Sequence, residues 1–267
     1  MHKTFGYDFM ETIRNTNQWL GATAKSFASY PAYEITPNPM MNWLAAWGEV
    51  TERSFERMVA KPDWNIDSFT CEDGRDHLVD IKIKIKKPFG DLVHFDVQDR
   101  KAINKKVLLI APMSGHYATL LTSTVHSLIA DCEVYITDWH NARDIPVSAG
   151  KFDIEDYTKY LIEFIKYLGP DIHVVAVCQP APLALAATAF IREYEKNSIP
   201  KSFILNAGPI DPDANPTEVT DFGRRVTMGQ LEHTMIQNVG VKYAGIGRQV
   251  YPGSLQLYSF LSMNMDR

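Results

Sequence analysis

Cys178 stands between two stretches of different character, and a thiol in that place can act as a nucleophile. Before it, Ile172 to Val177 is a short, apolar, β-branched run, the composition of a strand buried on both faces. After it, Leu183 to Tyr194 is rich in Ala and Leu and predicts a helix. A chain that passes from strand to helix within one or two residues exposes the joint residue at the carboxyl edge of a parallel sheet, the geometry of a nucleophile elbow. Pro180 falls in the first helical turn, where a missing N–H costs nothing. The Gln179 N–H can then face the oxygen of a reacting carbonyl, and the helix N-terminus favours thiolate over thiol. The usual elbow is G-x-S-x-G; here it reads Ala176-Val177-Cys178-Gln179-Pro180. Ala176 is small enough for its place, whereas a proline in the second glycine's position is unusual. The pattern leaves a second reading open, a buried structural cysteine ending a core strand.

Acyl transfer asks for more than a nucleophile. A second oxyanion donor usually comes from the loop after the third strand, here Pro112 to His116. Met113 and Ser114 are the candidates for the backbone N–H, and Gly115 permits a tight loop. His116 is either an orienting group or a loop residue satisfied by water. A base and a carboxylate to orient it are harder to find. Beyond Cys178 the only histidine is His233, on a predicted helix and better read as a surface residue. Asp211 and Asp213 follow a strand but look like turn residues, and Asp138 reads as structural.

The elements that must position these groups follow from periodicity. Residues 5–30 predict an amphipathic helix, ended by Pro31, Pro37 and Pro39. A second helix, about 40–60, carries Trp43, Trp47 and Phe55, a stripe suited to packing or to docking on something apolar. Residues 78–87 alternate strictly, predicting a strand with one buried face and a lysine-bearing solvated face near a sheet edge. Residues 92–97 return antiparallel through a hairpin. From Lys106 the rhythm becomes β-α-β-α-β-α-β, with strands at 106–111, 132–137, 172–177 and 202–206 and helices at 117–130, 153–168 and 183–196. Functional groups should gather at the carboxyl ends, 112–116, 138–145, 178–180 and 206–211. Residues 211–267 predict short helices near 218–238 and 253–262, as a cap or the start of a second lobe. The expected division is a helical extension over 1–75, a core over 76–210 and a partial cap over 211–267.

Composition excludes several function classes. Lys and Arg number 27 against 32 Asp and Glu, a net charge of −5 that argues against nucleic acid as a main partner. Cys71, Cys132 and Cys178 have no paired spacing, so a disulfide framework is not predicted. The eight histidines show no metal-binding spacing, and no cofactor is expected. There is no export signal or membrane-spanning run, which predicts a cytoplasmic protein.

At these residues the chain resembles the intracellular polyhydroxybutyrate depolymerases, in particular those with a cysteine nucleophile. The matching stretches are Tyr30 to Glu34, Ala111 to Leu121, Tyr135 to Trp139, Val177 to Pro180, Asn206 to Asp211 and Tyr251 to Gln256. The resemblance implies an α/β-hydrolase-like fold, a mostly parallel sheet with helices on both faces, an N-terminal helical extension and a partial cap. It also implies hydrolysis of 3-hydroxybutyrate esters through an acyl-Cys178 intermediate, on polymer or at a granule surface. Such depolymerases are longer, with the catalytic Asp and His in a C-terminal portion. The expectation is therefore a C-terminally truncated chain, its final strands missing and little active alone, either a relic or half of an enzyme completed by a separate polypeptide. The exposed edge of such a sheet predicts poor solubility. Two rivals remain at this point. A polyhydroxyalkanoate synthase also uses an elbow cysteine but keeps glycines on both sides of it, unlike Ala176 and Pro180. A non-catalytic granule-binding protein would use the 5–60 helices alone.

Overall fold

Two apolar runs from distant parts of the chain, Lys106–Ile110 and Ile172–Val177, lie side by side in parallel register, with Leu108 opposite Val174 and Ile110 opposite Ala176. The rest of the sheet is built outward from this pair. The computed structural model describes residues 3–31, 33, 38–71, 74–113 and 117–262. Its contacts divide the chain into two units, Met1–Pro62 with Glu232–Arg267, and Asp63–Leu231. That division differs from the three segments predicted from sequence: the last part of the chain groups with the first.

The first unit contains helices α1 (Lys3–Ala28) and α2 (Pro39–Arg57), which pack along one another. Asn38 caps α2 by accepting a hydrogen bond from the Met40 N–H, and Pro39 occupies the first turn, where no donor is lost. Gly21 and Gly48 set the closest approach. A Cβ on Gly21 would lie 2.5 Å from the Glu52 nitrogen, and one on Gly48 2.5 Å from the Lys25 nitrogen. The returning segment joins these helices through polar contacts. Tyr243 donates its hydroxyl to Glu11 at 2.7 Å, and a Cβ added at Gly240 would displace the Asp8 carboxylate.

The second unit holds strands β1 (Ser68–Thr70), β2 (Asp76–Ile85), β3 (Gly90–Val97), β4 (Lys106–Ile110), β5 (Glu133–Trp139), β6 (Ile172–Val177) and β7 (Ser202–Asn206). They form one sheet in the order β1-β2-β3-β5-β4-β6-β7. Strands β2, β4, β5, β6 and β7 run one way, β1 and β3 the other. On one face Phe95, Val107, Leu109 and Ile136 pack with Val125 of α3 (Thr122–Leu128). On the other, Leu108, Ile110 and Val174 pack under α4 (Ile154–Leu168) and α5 (Ala181–Tyr194). This mostly parallel sheet between helices is an α/β-hydrolase-like fold.

Helix α4 shows how local sequence sets the frame. Asp153 and Asp156 form a reciprocal capping box at its start, and Gly169, with φ of 80°, ends it. Tyr157, Leu161, Phe164, Ile165 and Leu168 recur at helical spacing and are all buried.

The structure departs from the sequence expectations in several places. The alternating strand β2 does not bury a whole face: Val79 joins the core, but Ile81 and Ile83 are exposed because the core cluster on that side reaches no farther outward. The lysine-bearing face fits the edge reading, with Lys82 paired to Asp96. The helix predicted over 117–130 opens as a 3-10 turn, Ala118–Leu121, before α3. The helix predicted over 218–238 is two, α6 (Glu218–Arg225) and α7 (Met228–Thr234), because Val226 is extended. The short strands β8 (Gln237–Asn238) and β9 (Gln249–Val250) pair next, and α8 (Gly253–Ser262) follows. Among the described residues the main sheet ends at β7, where Ile204 is exposed.

Candidate active site

At the end of β6 the backbone turns sharply. Cys178 adopts a left-handed conformation, φ 65°, which residues other than glycine take up rarely and at a cost of about 1 kcal/mol or more. Its N–H continues the ladder, donating to the Asn206 carbonyl at 2.8 Å, while its own carbonyl accepts from the Ala181 N–H at 3.1 Å, the residue that opens α5. Pro180 takes the N-cap position, one residue before the first turn predicted for it. A cysteine merely ending a buried strand would pack inward; this thiol is exposed. Strained backbone under an exposed thiol at a helix N-terminus is the geometry an elbow requires.

The neighbouring strand exit makes room for that turn. Ala207, directly after β7, is also left-handed, φ 52°. Gly208 then passes so near α5 that an added Cβ would meet the Ala181 Cβ at 2.0 Å and the Cys178 oxygen at 3.2 Å. Only a glycine lets the chain pass there.

Of the predicted oxyanion group, Met113 and Gln179 come together. The Met113 N–H donates to the Gln179 side-chain oxygen, Oε1, at 3.1 Å. Ser114 and His116, with Gly115 between them, lie outside the described residues. The strand end that leads to Met113 is braced by side chains of β5. Thr137 Oγ1 accepts from the Ala111 N–H at 3.0 Å, and the Trp139 indole donates to the Ala111 carbonyl at 2.9 Å. Trp139 stacks on Tyr157 at 4.2 Å, and burial there pushes the Tyr157 hydroxyl far above its ordinary pKa.

The other candidates fall elsewhere. Asp211 is a turn residue, its Oδ1 accepting from the N–H groups of Asp213 and Ala214 at 3.0 and 3.2 Å. Asp138 is buried at the end of β5. His233 is exposed and belongs to the other unit. Sequence reasoning missed the pair His140 and Asp91. His140 Nε2 lies 3.1 Å from the Asp91 carboxylate and Nδ1 lies 3.0 Å from the Pro88 carbonyl. The β3–β5 ladder brings them together, with Asp91 opposite Asp138, two residues from His140. Both of its ring nitrogens therefore face acceptors of β3 and the turn before it. Among the described residues the Cys178 sulfur makes no hydrogen bond, and no cluster of three His, Cys, Asp or Glu side chains could hold a metal ion. The arrangement places an exposed thiol at a helix N-terminus, with the Met113 N–H held by the side chain of the next residue, Gln179.

Residues 207–267 match the family model described as PHB de-polymerase C-terminus. Among solved structures, the chain is similar to the Francisella virulence factor BioJ, at 13% identity over 79% of this chain and 67% of that one, with a TM-score of 0.40. It is also similar to an α/β hydrolase from the metagenome of Lake Arreo, at 14% identity over 75% and 60% of the two chains, TM-score 0.36. The hyperthermophilic esterase of Pyrobaculum calidifontis matches at 14% identity over 93% and 73%, TM-score 0.34. The chain thus spans 60 to 73% of the length of these proteins. No curated protein matches it by sequence.

Proposed function

We propose that this chain, which the match over residues 207–267 supports as a member of the polyhydroxybutyrate depolymerase family, hydrolyses ester bonds of poly(3-hydroxybutyrate) through an acyl-Cys178 intermediate. At the coarser level, that match supports an ester hydrolase. The observation that carries the finer reading is the exposed Cys178 in a left-handed turn between β6 and α5.

In the first step the Cys178 thiolate attacks the ester carbonyl carbon, and the carbonyl electrons move onto oxygen. The Gln179 and Met113 N–H groups stabilise that oxyanion; one such donor is worth about 3 kcal/mol in comparable sites. Collapse reforms the carbonyl and expels the hydroxyl-bearing end of the polymer, which takes up the proton first removed from the thiol. Water then attacks the thioester, releasing the 3-hydroxyacyl end as an acid and restoring the thiol. The base and carboxylate that move these protons are assigned to residues outside those described or to a separate polypeptide. Support for this is that the described residues leave the sulfur without a hydrogen bond.

A cysteine is nucleophilic enough to be acylated by an activated ester without its base. Incubation with p-nitrophenyl 3-hydroxybutyrate should therefore place one acyl group on Cys178, seen by mass spectrometry and absent from Cys178→Ala. The chain alone should release little hydroxybutyrate from amorphous polymer. No adduct on Cys178 would refute the nucleophile assignment; steady polymer turnover that Cys178→Ala abolishes would refute the need for a base from elsewhere.

A further inference from the structure

The two long helices of the first unit are amphipathic in the reverse of the usual sense. On a helix of a soluble protein the charged residues face water and the apolar ones face the core. In α1 the charges turn inward. Glu11 and Arg14 are 6% and 9% exposed and bond to each other at 3.1 Å, while Lys25 reaches Glu52 of α2 at 3.3 Å. Between Phe5 and Tyr30 every charged residue is buried or half-buried, and the Lys25 side chain, 40% exposed, is the one paired with Glu52. The exposed side chains include Phe5, Phe9, Ile13, Trp19, Leu20 and Phe27, which at helical spacing share a sector about 120° wide. Two of the polar residues in that sector turn their hydroxyl hydrogens away from solvent. The hydroxyls of Thr12 and Thr23 donate to the Asp8 and Trp19 carbonyls of their own helix. The first three turns of α2 repeat the pattern, with Met40, Trp43, Trp47 and Val50 exposed and a single charge, Glu49, which is half-buried and paired with Arg53.

Such faces need an apolar occupant. Among the described residues no helix is long and apolar enough to cross a membrane. Helices that lie on anionic bilayers carry lysine and arginine beside the apolar stripe, to meet the headgroups. The apolar sectors formed by Phe5 to Phe27 of α1 and Met40 to Val50 of α2 hold neither, and exposed arginines come only in the last turns of α2, at Arg53 and Arg57. An aliphatic polyester is itself uncharged, and its carbonyls are acceptors that an indole N–H can serve while its ring lies on the chain. With 26 residues, α1 offers a face about 39 Å long.

We propose that the uncharged outer faces of α1 and α2 adsorb the protein to the surface of its polyester substrate, holding the enzyme on an insoluble polymer independently of chemistry at Cys178. The proposal rests on the polyester reading above, but its test does not use catalysis. The full chain carrying Cys178→Ala is sedimented with protein-free granules of amorphous poly(3-hydroxybutyrate), in parallel with vesicles of phosphatidylcholine and phosphatidylglycerol. It should sediment with the polymer, hold as well or better at high salt, and bind the vesicles at least tenfold more weakly. Trp19→Gln combined with Trp43→Gln should weaken polymer adsorption at least tenfold with an unchanged circular dichroism spectrum. Each single replacement should give an intermediate loss, which keeps the test decisive if the pair fails to fold. Equal sedimentation of the variants, equal capture by vesicles, or a dimer that the replacements dissolve while adsorption persists would overturn the proposal. Failure of Cys178 to acylate would leave it standing and sink the mechanism instead.

Discussion

The Met113 N–H and the Gln179 side chain are 66 positions apart in sequence and share a hydrogen bond of 3.1 Å beside the nucleophile. The acceptor is an amide oxygen, chemically close to the ester oxygen that the proposed mechanism directs to the same donor. In that mechanism Gln179 has two opposed parts, a backbone donor to the oxyanion and a side chain that competes with it for Met113. Replacing Gln179 by Ala keeps the backbone N–H and removes the competitor. Acylation of Cys178 by a p-nitrophenyl ester, followed by stopped flow, should become several-fold faster, while stability falls by about 1 kcal/mol from the lost hydrogen bond. A slower reaction would mean that the side chain instead holds the Met113 loop in place.

The left-handed backbone at Cys178 predicts a trade between stability and reactivity. Glycine pays no steric penalty in this conformation and alanine does. Cys178→Gly should therefore be more stable than Cys178→Ala by about 1 kcal/mol, measured by denaturant unfolding. Both should lose acyl labelling. Equal stabilities would show that the turn relaxes in solution.

Strands β4 to β7 were legible because each is a compact apolar run bounded by breaks, and the strand–Cys–helix joint marked the elbow. What was not legible depends on contacts between distant residues. The hydrogen bond from Met113 to Gln179 and the pairing of His140 with Asp91 bring together segments whose spacing carries no signature. The exposure of Ile81 and Ile83 has the same origin: alternation reveals that a strand has two faces, not whether anything covers one of them. For the helices of the first unit, apolar periodicity located the stripe on α1 and α2, but only the burial of Glu11 and Arg14 shows that the stripe points away from the packed side.

A pH dependence follows from Glu133. The hydrogen bond from His94, and then that from Arg100, hold its carboxyl below the ordinary value of 4.5 despite partial burial. The folded state therefore binds fewer protons than the unfolded chain as that group titrates. Its stabilising contribution is present in full above the unfolded value and is lost as pH falls through the lower folded one. In thermal unfolding from about pH 6 to about pH 3, Glu133→Gln should melt below the wild type at the upper end, and the gap should close as pH falls. A gap that widens on acidification would contradict the assignment.

Both backbone polar groups of Ala111 are held by side chains from β5, Thr137 below and Trp139 above. The anchor lies just two residues upstream of Met113, so the aim of that donor is inherited from a neighbouring strand that never meets an ester. Evolution or engineering could thus retune the proposed donor from underneath, through a threonine and a tryptophan, without altering any group assigned to the substrate side.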